Sequence, residues 1–142
     1  MSKKTNNPEK AKAWAAFSKY KRTLDCIRTT GTPVAGLCIT CGDKFHINYL
    51  QAGHLIAGRG NAILFNLKFV NAQCRYCNEY HHGKPKVYRA AMVHRHGEAF
   101  VDRWETKLRG MAKSAKITDK QINWEQRTKR YKKLTAKLNN IF

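Results

Sequence analysis

Two CxxC pairs constrain this 142-residue chain more than any other feature of its sequence. Cys38 and Cys41 form the first pair, and Cys74 and Cys77 form the second. Two residues between thiolates let both reach one ion from a tight turn, and four thiolates suit a closed, structural Zn²⁺ site. The pattern therefore predicts a zinc site that brings together the two ends of the segment 42–73. A redox dithiol is the alternative, although it would need only one pair.

The segment between the cysteine pairs is predicted to form short β-strands. Short apolar runs of the kind that form strands lie at 45–47, 49–56 and 64–73. The run ending at His54 can pair with the run ending at Gln73, and the second cysteine pair then leads into a helix. This order of strand, loop, strand and helix predicts that His54 lies close to the start of the helix carrying Asn78.

Helices are predicted on both sides of this core. Asn7-Pro8-Glu9 has the N-cap, first-turn proline and acid of a helix start. Helical signals return after the second cysteine pair and continue at 87–96 and 98–109, and Thr118-x-x-Gln121 is a capping-box pattern before a long final helix. We expect one α+β domain over 1–142, with an N-terminal helix at 8–30, a zinc-bound core at 38–97 and basic C-terminal helices at 98–142.

The charge of the chain points to a polyanionic partner. Lysine and arginine total 28 against 9 acids, which gives a formal net charge of +19. Nucleic acid is the favoured partner, and a merely basic, soluble surface is the alternative. We expect no membrane partner, because no stretch has the length of a membrane span and no signal peptide is recognisable. The expected location is the cytoplasm, where paired cysteines more often hold metal than form disulfides.

A histidine at the end of a strand, facing a helix that carries two further polar residues, suits phosphodiester hydrolysis. Neutral imidazole at His54 can accept a proton from water, and a divalent cation would neutralise charge on the phosphate and the leaving oxygen. Asn78 and His82 are four residues apart, so on a continuous helix both could reach that ion. The alternatives are a structural histidine in a strand, an asparagine that caps a helix, and a histidine that only contacts phosphate or solvent.

Taken together, these motifs resemble a known class of nucleases. CxxC, a Gly-His at the end of a strand, and CxxC-Asn opening a helix are similar to the ββα-metal (HNH, or His-Me finger) nucleases. The run from WAAFSKYKRTLDCIRTTGTP through CITCG, LQAGHLIAGRGNAILF and NAQCRYCN resembles the phage NinG family, also called Rap, from about Trp14 to Gly97. Phage endonuclease VII, a junction resolvase, shares the order of cysteine pairs, histidine and asparagine.

The NinG resemblance implies a recombination endonuclease that cuts branched DNA. The implied fold is a zinc-stapled ββα-metal core, and the implied activity is metal-dependent hydrolysis of Holliday-junction-like intermediates with Mg²⁺ or Mn²⁺. His54 matches the general base and Asn78 the metal-binding asparagine. Asn71 lies near the middle asparagine that holds the loop and orients the base, with Asn66 as its rival. His82 would be an auxiliary ligand or phosphate contact, and a phage protein would act in the host-cell cytoplasm.

One position departs from the wider HNH pattern. Many of these nucleases carry a metal-binding aspartate immediately before the base, whereas this chain has Gly53, as the NinG pattern does. Gln51, two residues earlier on the same strand face, is a candidate substitute. Backbone phosphates would be contacted by Arg59, Arg75 and Lys84, which would position DNA without reading its bases.

Symmetric cutting of a junction needs two active sites, so a homodimer is expected. The final helix carries an apolar stripe that could dock on the body of the protein or on a second copy; it comprises Trp124, Tyr131, Leu134, Leu138 and Ile141. Two other functions stay open. One is a generic nicking or homing HNH nuclease on ordinary duplex, and the other is a non-catalytic zinc-containing DNA-binding accessory protein.

Overall fold

The computed structural model describes residues 7–58, 60–113 and 118–142, and it has the mixed α+β composition that the sequence predicts. The helices are α1 (Pro8–Thr30), α2 (Asn61–Leu64), α3 (Pro85–His96), α4 (Glu98–Lys113) and α5 (Trp124–Ile141). The strands are β1 (Ala35–Leu37), β2 (Lys44–His46), β3 (Leu50–His54) and β4 (Val70–Cys74). Of the helices in these ranges, none combines the length and apolarity that crossing a bilayer requires.

Helix α1 begins and ends at signals that are visible in the sequence. The Asn7 side chain accepts hydrogen bonds from the backbone N–H of Glu9 and Lys10, at 3.1 and 3.2 Å. Gly31 ends the helix with a φ of 81°, a left-handed conformation that glycine adopts without strain. The predicted helix start is therefore formed, and the helix extends to Thr30.

The strands form two antiparallel hairpins. β1 pairs with β2, and β3 pairs with β4 in a register that places Gly53 opposite Asn71 and Leu50 opposite Cys74. The second hairpin is the pairing that the sequence predicts. The strand expected over 64–73 is wrong in its first half, because the Asn66 side chain accepts from two backbone N–H groups and closes a turn. β4 therefore begins only at Val70.

The C-terminal helices differ from expectation at two boundaries. The capping box at Thr118 and Gln121 is present, but it closes only a short 3₁₀ turn, Asp119–Gln121. The long helix α5 has a separate N-cap, Asn123, whose side chain accepts from the backbone N–H of Gln126 at 3.0 Å. α4 continues to Lys113, beyond the expected end at residue 109, because Gly110 does not interrupt it.

The apolar stripe of α5 docks on the body of the protein at its N-terminal half. The Tyr131 ring lies 5.2 Å from the Phe17 ring of α1, and the Trp124 ring lies 5.4 Å from that of Phe65. A second apolar cluster lies where α3 and α4 cover the segment between β3 and β4; it comprises Leu55, Ile56, Ile63, Phe69, Tyr88, Met92, Val101 and Leu108. The far end of the stripe is open, since Ile141 is 72% exposed.

A buried ion pair joins α1 to β4. Lys21 and Asp25 are 1% and 3% exposed, and Lys21 Nζ lies 2.5 Å from Asp25 Oδ1. Lys21 also donates to Asn71 Oδ1 at 2.9 Å, and the backbone N–H of Ala72 donates to Asp25 Oδ2 at 2.8 Å. Burial lowers the pKa of Lys21, and the charge of Asp25 opposes that effect. The position of the helix on the strand thus depends on a charge pair with no access to water.

We expect Asp25→Asn to lower the free energy of unfolding by about 3 kcal/mol, because it leaves the buried Lys21 charge without its counter-ion. Urea denaturation measures the loss. Glu125→Gln is the matched control, since it removes an exposed i,i+4 pair with Lys129 and should cost at most about 0.5 kcal/mol. Equal losses for the two variants would contradict a structural role for the buried pair.

Candidate functional site

The four cysteines converge on one point. The Sγ atoms of Cys38, Cys41, Cys74 and Cys77 all lie within 4.8 Å of one another, and the Cys41 and Cys74 sulfurs are 3.9 Å apart. A tetrahedral zinc ion with Zn–S bonds of about 2.3 Å places its sulfurs about 3.8 Å apart. The cluster is therefore compatible with the predicted structural zinc site.

Local backbone geometry presents the first cysteine pair to the second. A tight turn closes with hydrogen bonds from Gly42 N to Cys38 O and from Cys38 N to Asp43 O, both 2.9 Å. The backbone N–H of Ile39 then donates to Ala72 O at 2.9 Å, which attaches this turn to β4. Cys74 is the last residue of the same strand. Strand pairing and turn geometry thus bring both CxxC pairs to one end of the β3–β4 hairpin.

The cysteine cluster favours a cation electrostatically. Burial raises the pKa of Cys38, but hydrogen bonds, chiefly from the backbone N–H of Cys41, outweigh it and lower that pKa to about 6. Burial raises the pKa of Cys41 to about 12, and it also raises the pKa of Cys74. Without a metal, one thiolate is stabilised at the expense of its neighbours. A divalent cation would offset the electrostatic repulsion between neighbouring thiolates, so that all four cysteines could be deprotonated together.

We expect one zinc ion per chain, because the four clustered thiolates form a complete tetrahedral ligand set. Cys77→Ser should abolish stoichiometric zinc binding and unfold the hairpin core, as measured by elemental analysis and circular dichroism. Cys26→Ala is the control, since Cys26 is equally buried but lies outside the cluster. A folded, metal-free Cys77→Ser protein would contradict the structural site.

A cavity of about 500 Å³ lies beside β3 and contains both predicted catalytic residues. His54, at the end of β3, and Asn78, in the π-helical turn Tyr76–Tyr80, line this one cavity. The other polar or aromatic residues of its wall include Trp14, Arg22, Gln51 and Glu79. The structure thus brings together the histidine and the asparagine that the sequence placed near each other.

The His54 ring is held in one orientation. Its Nε2 lies 3.2 Å from the backbone oxygen of Leu64. A carbonyl oxygen only accepts hydrogen bonds, so Nε2 is the donor and the lone pair of the ring is on Nδ1. The Trp14 ring stacks on the imidazole with centroids 5.1 Å apart and an interplanar angle of 21°. This tautomer and this packing suit a general base that acts through Nδ1.

Asn78 presents an amide oxygen in the cavity wall. Its Nδ2 donates to Gln51 Oε1 at 2.8 Å, so the side chain bridges to β3 and does not cap a helix. Within the described part of the chain, nothing donates a hydrogen bond to Asn78 Oδ1. Glu79 adds a carboxylate to the same wall, where Arg75 Nε lies 2.5 Å from it. Amide and carboxylate oxygens are the ligands that Mg²⁺ prefers.

Asn71 and Asn66 both act on the segment that precedes β4. Asn71 is buried; its Oδ1 accepts from Lys21, and its Nδ2 donates to Lys68 O and to the Tyr88 hydroxyl, both at 3.0 Å. Neither asparagine lines the cavity that contains His54. The group that orients the His54 ring is a backbone carbonyl, that of Leu64, and no side-chain pattern in the sequence could have identified it.

Packing explains the glycine immediately before His54. A Cβ atom on Gly53 would lie 1.9 Å from Gln73 Oε1 and 2.7 Å from Gln73 Cδ. The Gln73 side chain is fully buried and cannot swing away, because its Nε2 donates to Gly83 O at 3.0 Å and to Thr40 Oγ1 at 3.2 Å. An aspartate therefore cannot occupy this position as the interior is packed.

We expect Gly53→Ala to lower the free energy of unfolding by about 1–3 kcal/mol, because the new methyl group overlaps the Gln73 amide. The same substitution should cost less in a Gln73→Ala background, where the obstructing side chain is gone. A double-mutant cycle by urea denaturation measures this coupling. Additive losses would show that the glycine is required for another reason.

The remaining predicted residues lie outside the cavity or outside the described residues. The continuous helix expected to carry Asn78 and His82 is not formed, because the π-helical turn ends at Tyr80 and His82 has a φ of 53°. Lys84 likewise has a positive φ, before α3. The Arg75 side chain is 70% exposed and paired with an acid. Arg59 lies outside the described residues.

Sequence reasoning missed two groups of cavity residues. Trp14, Ser18 and Arg22 recur every four positions on α1, which places all three on one face of the helix and against the cavity. Trp14 also stacks on the His54 ring, so it is both a packing residue and part of the cavity wall. Glu79 directly follows the candidate metal-binding Asn78, so its position next to that residue was the available signal.

The family comparison covers both the cysteine cluster and the cavity. The sequence profile described as Bacteriophage Lambda NinG protein matches residues 2–140. The chain belongs to the NinG family. NinG membership suggests a phage function related to recombination, and the match extends well beyond the 14–97 region on which the resemblance was based. Comparisons with curated proteins and with solved structures gave no match.

Proposed function

We propose that this chain is a structure-selective DNA endonuclease that hydrolyses phosphodiester bonds in branched recombination intermediates. The observation that carries the proposal is the shared cavity of His54 and Asn78, in a NinG-family chain with a net charge of +19. The hairpin β3–β4, the cysteine cluster and the following helical turn support assignment of the core to the ββα-metal class.

His54 acts as the general base in this proposal. Its Nδ1 accepts a proton from a water molecule as the water oxygen forms a bond to phosphorus. The bond between phosphorus and the leaving oxygen then breaks, and the leaving oxygen takes up a proton from solvent. The Leu64 carbonyl and the Trp14 ring hold the imidazole in position, so no reorientation of the base is needed during the reaction.

A divalent cation, Mg²⁺ or Mn²⁺, would be held by side-chain oxygens that line the cavity. Asn78 Oδ1 and the Glu79 carboxylate are suitable donors, and Gln51 orients the Asn78 amide through its hydrogen bond. When bound, such an ion neutralises negative charge on the phosphate and the leaving oxygen. Glu79 would supply the anionic ligand that the glycine before the base cannot provide. His82 lies beyond the turn, so we assign it an auxiliary contact.

The positive charge supports DNA as the partner. Arg59, Arg75 and Lys84 are the proposed local phosphate contacts, and the remaining lysines and arginines would add a sequence-independent, salt-sensitive attraction. Contacts of this kind favour selection by DNA shape over selection by base sequence, because phosphates carry little base information. The branched substrate itself is proposed from the resemblance to the NinG family. Symmetric cutting of a four-way junction requires two active sites, so a homodimer is part of the proposal.

We expect the wild-type protein with Mg²⁺ to cleave a four-way junction faster than a linear duplex of the same sequence. His54→Ala should reduce the single-turnover cleavage rate by about 10²–10⁴-fold, because it removes the base, while junction binding in a gel-shift assay is retained. His94→Ala is the matched control, since His94 is an exposed histidine of α3 outside the cavity.

Three other outcomes would redirect the assignment. Equal cleavage of junction and duplex would indicate a generic HNH nuclease. Binding of DNA without cleavage by the wild type would indicate an accessory DNA-binding protein. Cleavage at the wild-type rate by His54→Ala would show that His54 is not the base.

A further inference from the structure

Helix α1 places an arginine without a carboxylate partner in the wall of the catalytic cavity. Arg22 is half-buried and lines the cavity together with His54 and Asn78. In the described ranges it forms no ion pair, although burial lowers the pKa of its guanidinium. A cation that loses water without gaining a counter-ion is destabilising unless an anion binds beside it.

The guanidinium is fixed from one side. Arg22 Nε donates to the carbonyl and hydroxyl oxygens of Ser18 at 3.2 and 3.0 Å. Nη1 donates to the backbone oxygens of Ile47 and Leu50 at 3.2 and 3.3 Å. Its other terminal nitrogen, Nη2, donates to nothing within the described part of the chain. Four hydrogen bonds thus hold the group rigidly while one charged donor is left for a ligand.

The acidic residue that lines the same cavity does not form an ion pair with Arg22. Glu79 lines the same cavity, but its Oε2 pairs with Arg75 and not with Arg22. By contrast, Arg89 pairs with both Asp102 and Glu105. Arg22 therefore differs from these arginines, because no carboxylate in the described part of the chain pairs with it and it lines the same cavity as the proposed base.

We propose that Arg22 binds a non-bridging oxygen of the scissile phosphate and stabilises the charge that develops there during hydrolysis. This inference rests on the proposed nuclease function. The guanidinium donates from Nη2 to the phosphate oxygen, and His54, which lines the same cavity, deprotonates the attacking water. A fixed, charged donor of this kind accelerates the reaction because it needs no rearrangement as charge builds up.

Arg22 also ties α1 to the backbone that precedes β3, so a purely structural role has to be separated from a catalytic one. Arg22→Gln removes the charge, Arg22→Lys keeps it without the planar fork, and Arg28→Gln removes an exposed charge from the same helix outside the cavity. We expect Arg22→Gln to lower the single-turnover rate by about 10²–10³-fold, with junction affinity changed only a few-fold. Arg22→Lys should recover part of that rate, and Arg28→Gln should keep the wild-type rate.

A sulfur substitution at the scissile phosphate tests the contact itself. Replacement of the contacted non-bridging oxygen by sulfur should slow the wild type, and Arg22→Gln should largely lose this sensitivity because the donor is already absent. A structural role would leave the sulfur effect unchanged in the variant. An unchanged effect, or a wild-type rate in Arg22→Gln, would overturn the proposal while leaving the nuclease function intact.

Anion binding can be measured in the wild type without cleavage. Titration with inorganic phosphate in the absence of divalent cations should shift the ¹⁵N NMR signals of Arg22 Nε and of the Trp14 indole. The Trp124 indole, which donates to Asp119 O, serves as the internal control. No shift at Arg22 would overturn the phosphate site. A shift in a protein that cleaves no DNA would keep the site and reject the nuclease function.

Discussion

The convergence of four cysteine sulfurs is the constraint on which the rest of the site depends. Because Cys74 ends β4 and Cys77 lies in the π-helical turn, fixing the cluster fixes the direction in which the chain leaves the strand. That direction brings Asn78 back over β3, where its side chain bonds to Gln51. The cluster and the cavity are thus two ends of one rigid arrangement, separated by a single short turn.

The second support comes from outside the cysteine-bounded segment. α1 crosses the hairpin and is held there by the buried pair of Lys21 and Asp25. The same helix carries Arg22, directly after Lys21, and Trp14, about two turns earlier, and both residues line the cavity. A helix outside the segment between the cysteine pairs therefore contributes part of the cavity wall. The buried charges are best understood as positioning that wall.

Much of this arrangement could be predicted because it follows from local patterns. The CxxC spacing, the Asn7 cap and the pairing of the two strands all depend on nearby residues or on closure by the cluster. The secondary-structure predictions were wrong where side-chain hydrogen bonds or backbone conformation interrupted a segment that the sequence pattern had predicted to be regular. The Asn66 turn replaced half of a predicted strand, and the break at His82 interrupted a predicted helix. The hydrogen bond from His54 to the Leu64 carbonyl could not be predicted from the sequence, because every residue has a backbone carbonyl group.

The contact between Gly53 and Gln73 has a consequence for how the site can change over evolution. A carboxylate before the histidine cannot be introduced by a single substitution, because the residue across the hairpin must become smaller beforehand. That earlier change would itself remove two hydrogen bonds that tie the strand to Thr40 and Gly83. The two positions are therefore linked as a pair, and a change at residue 53 depends on which side chain occupies residue 73.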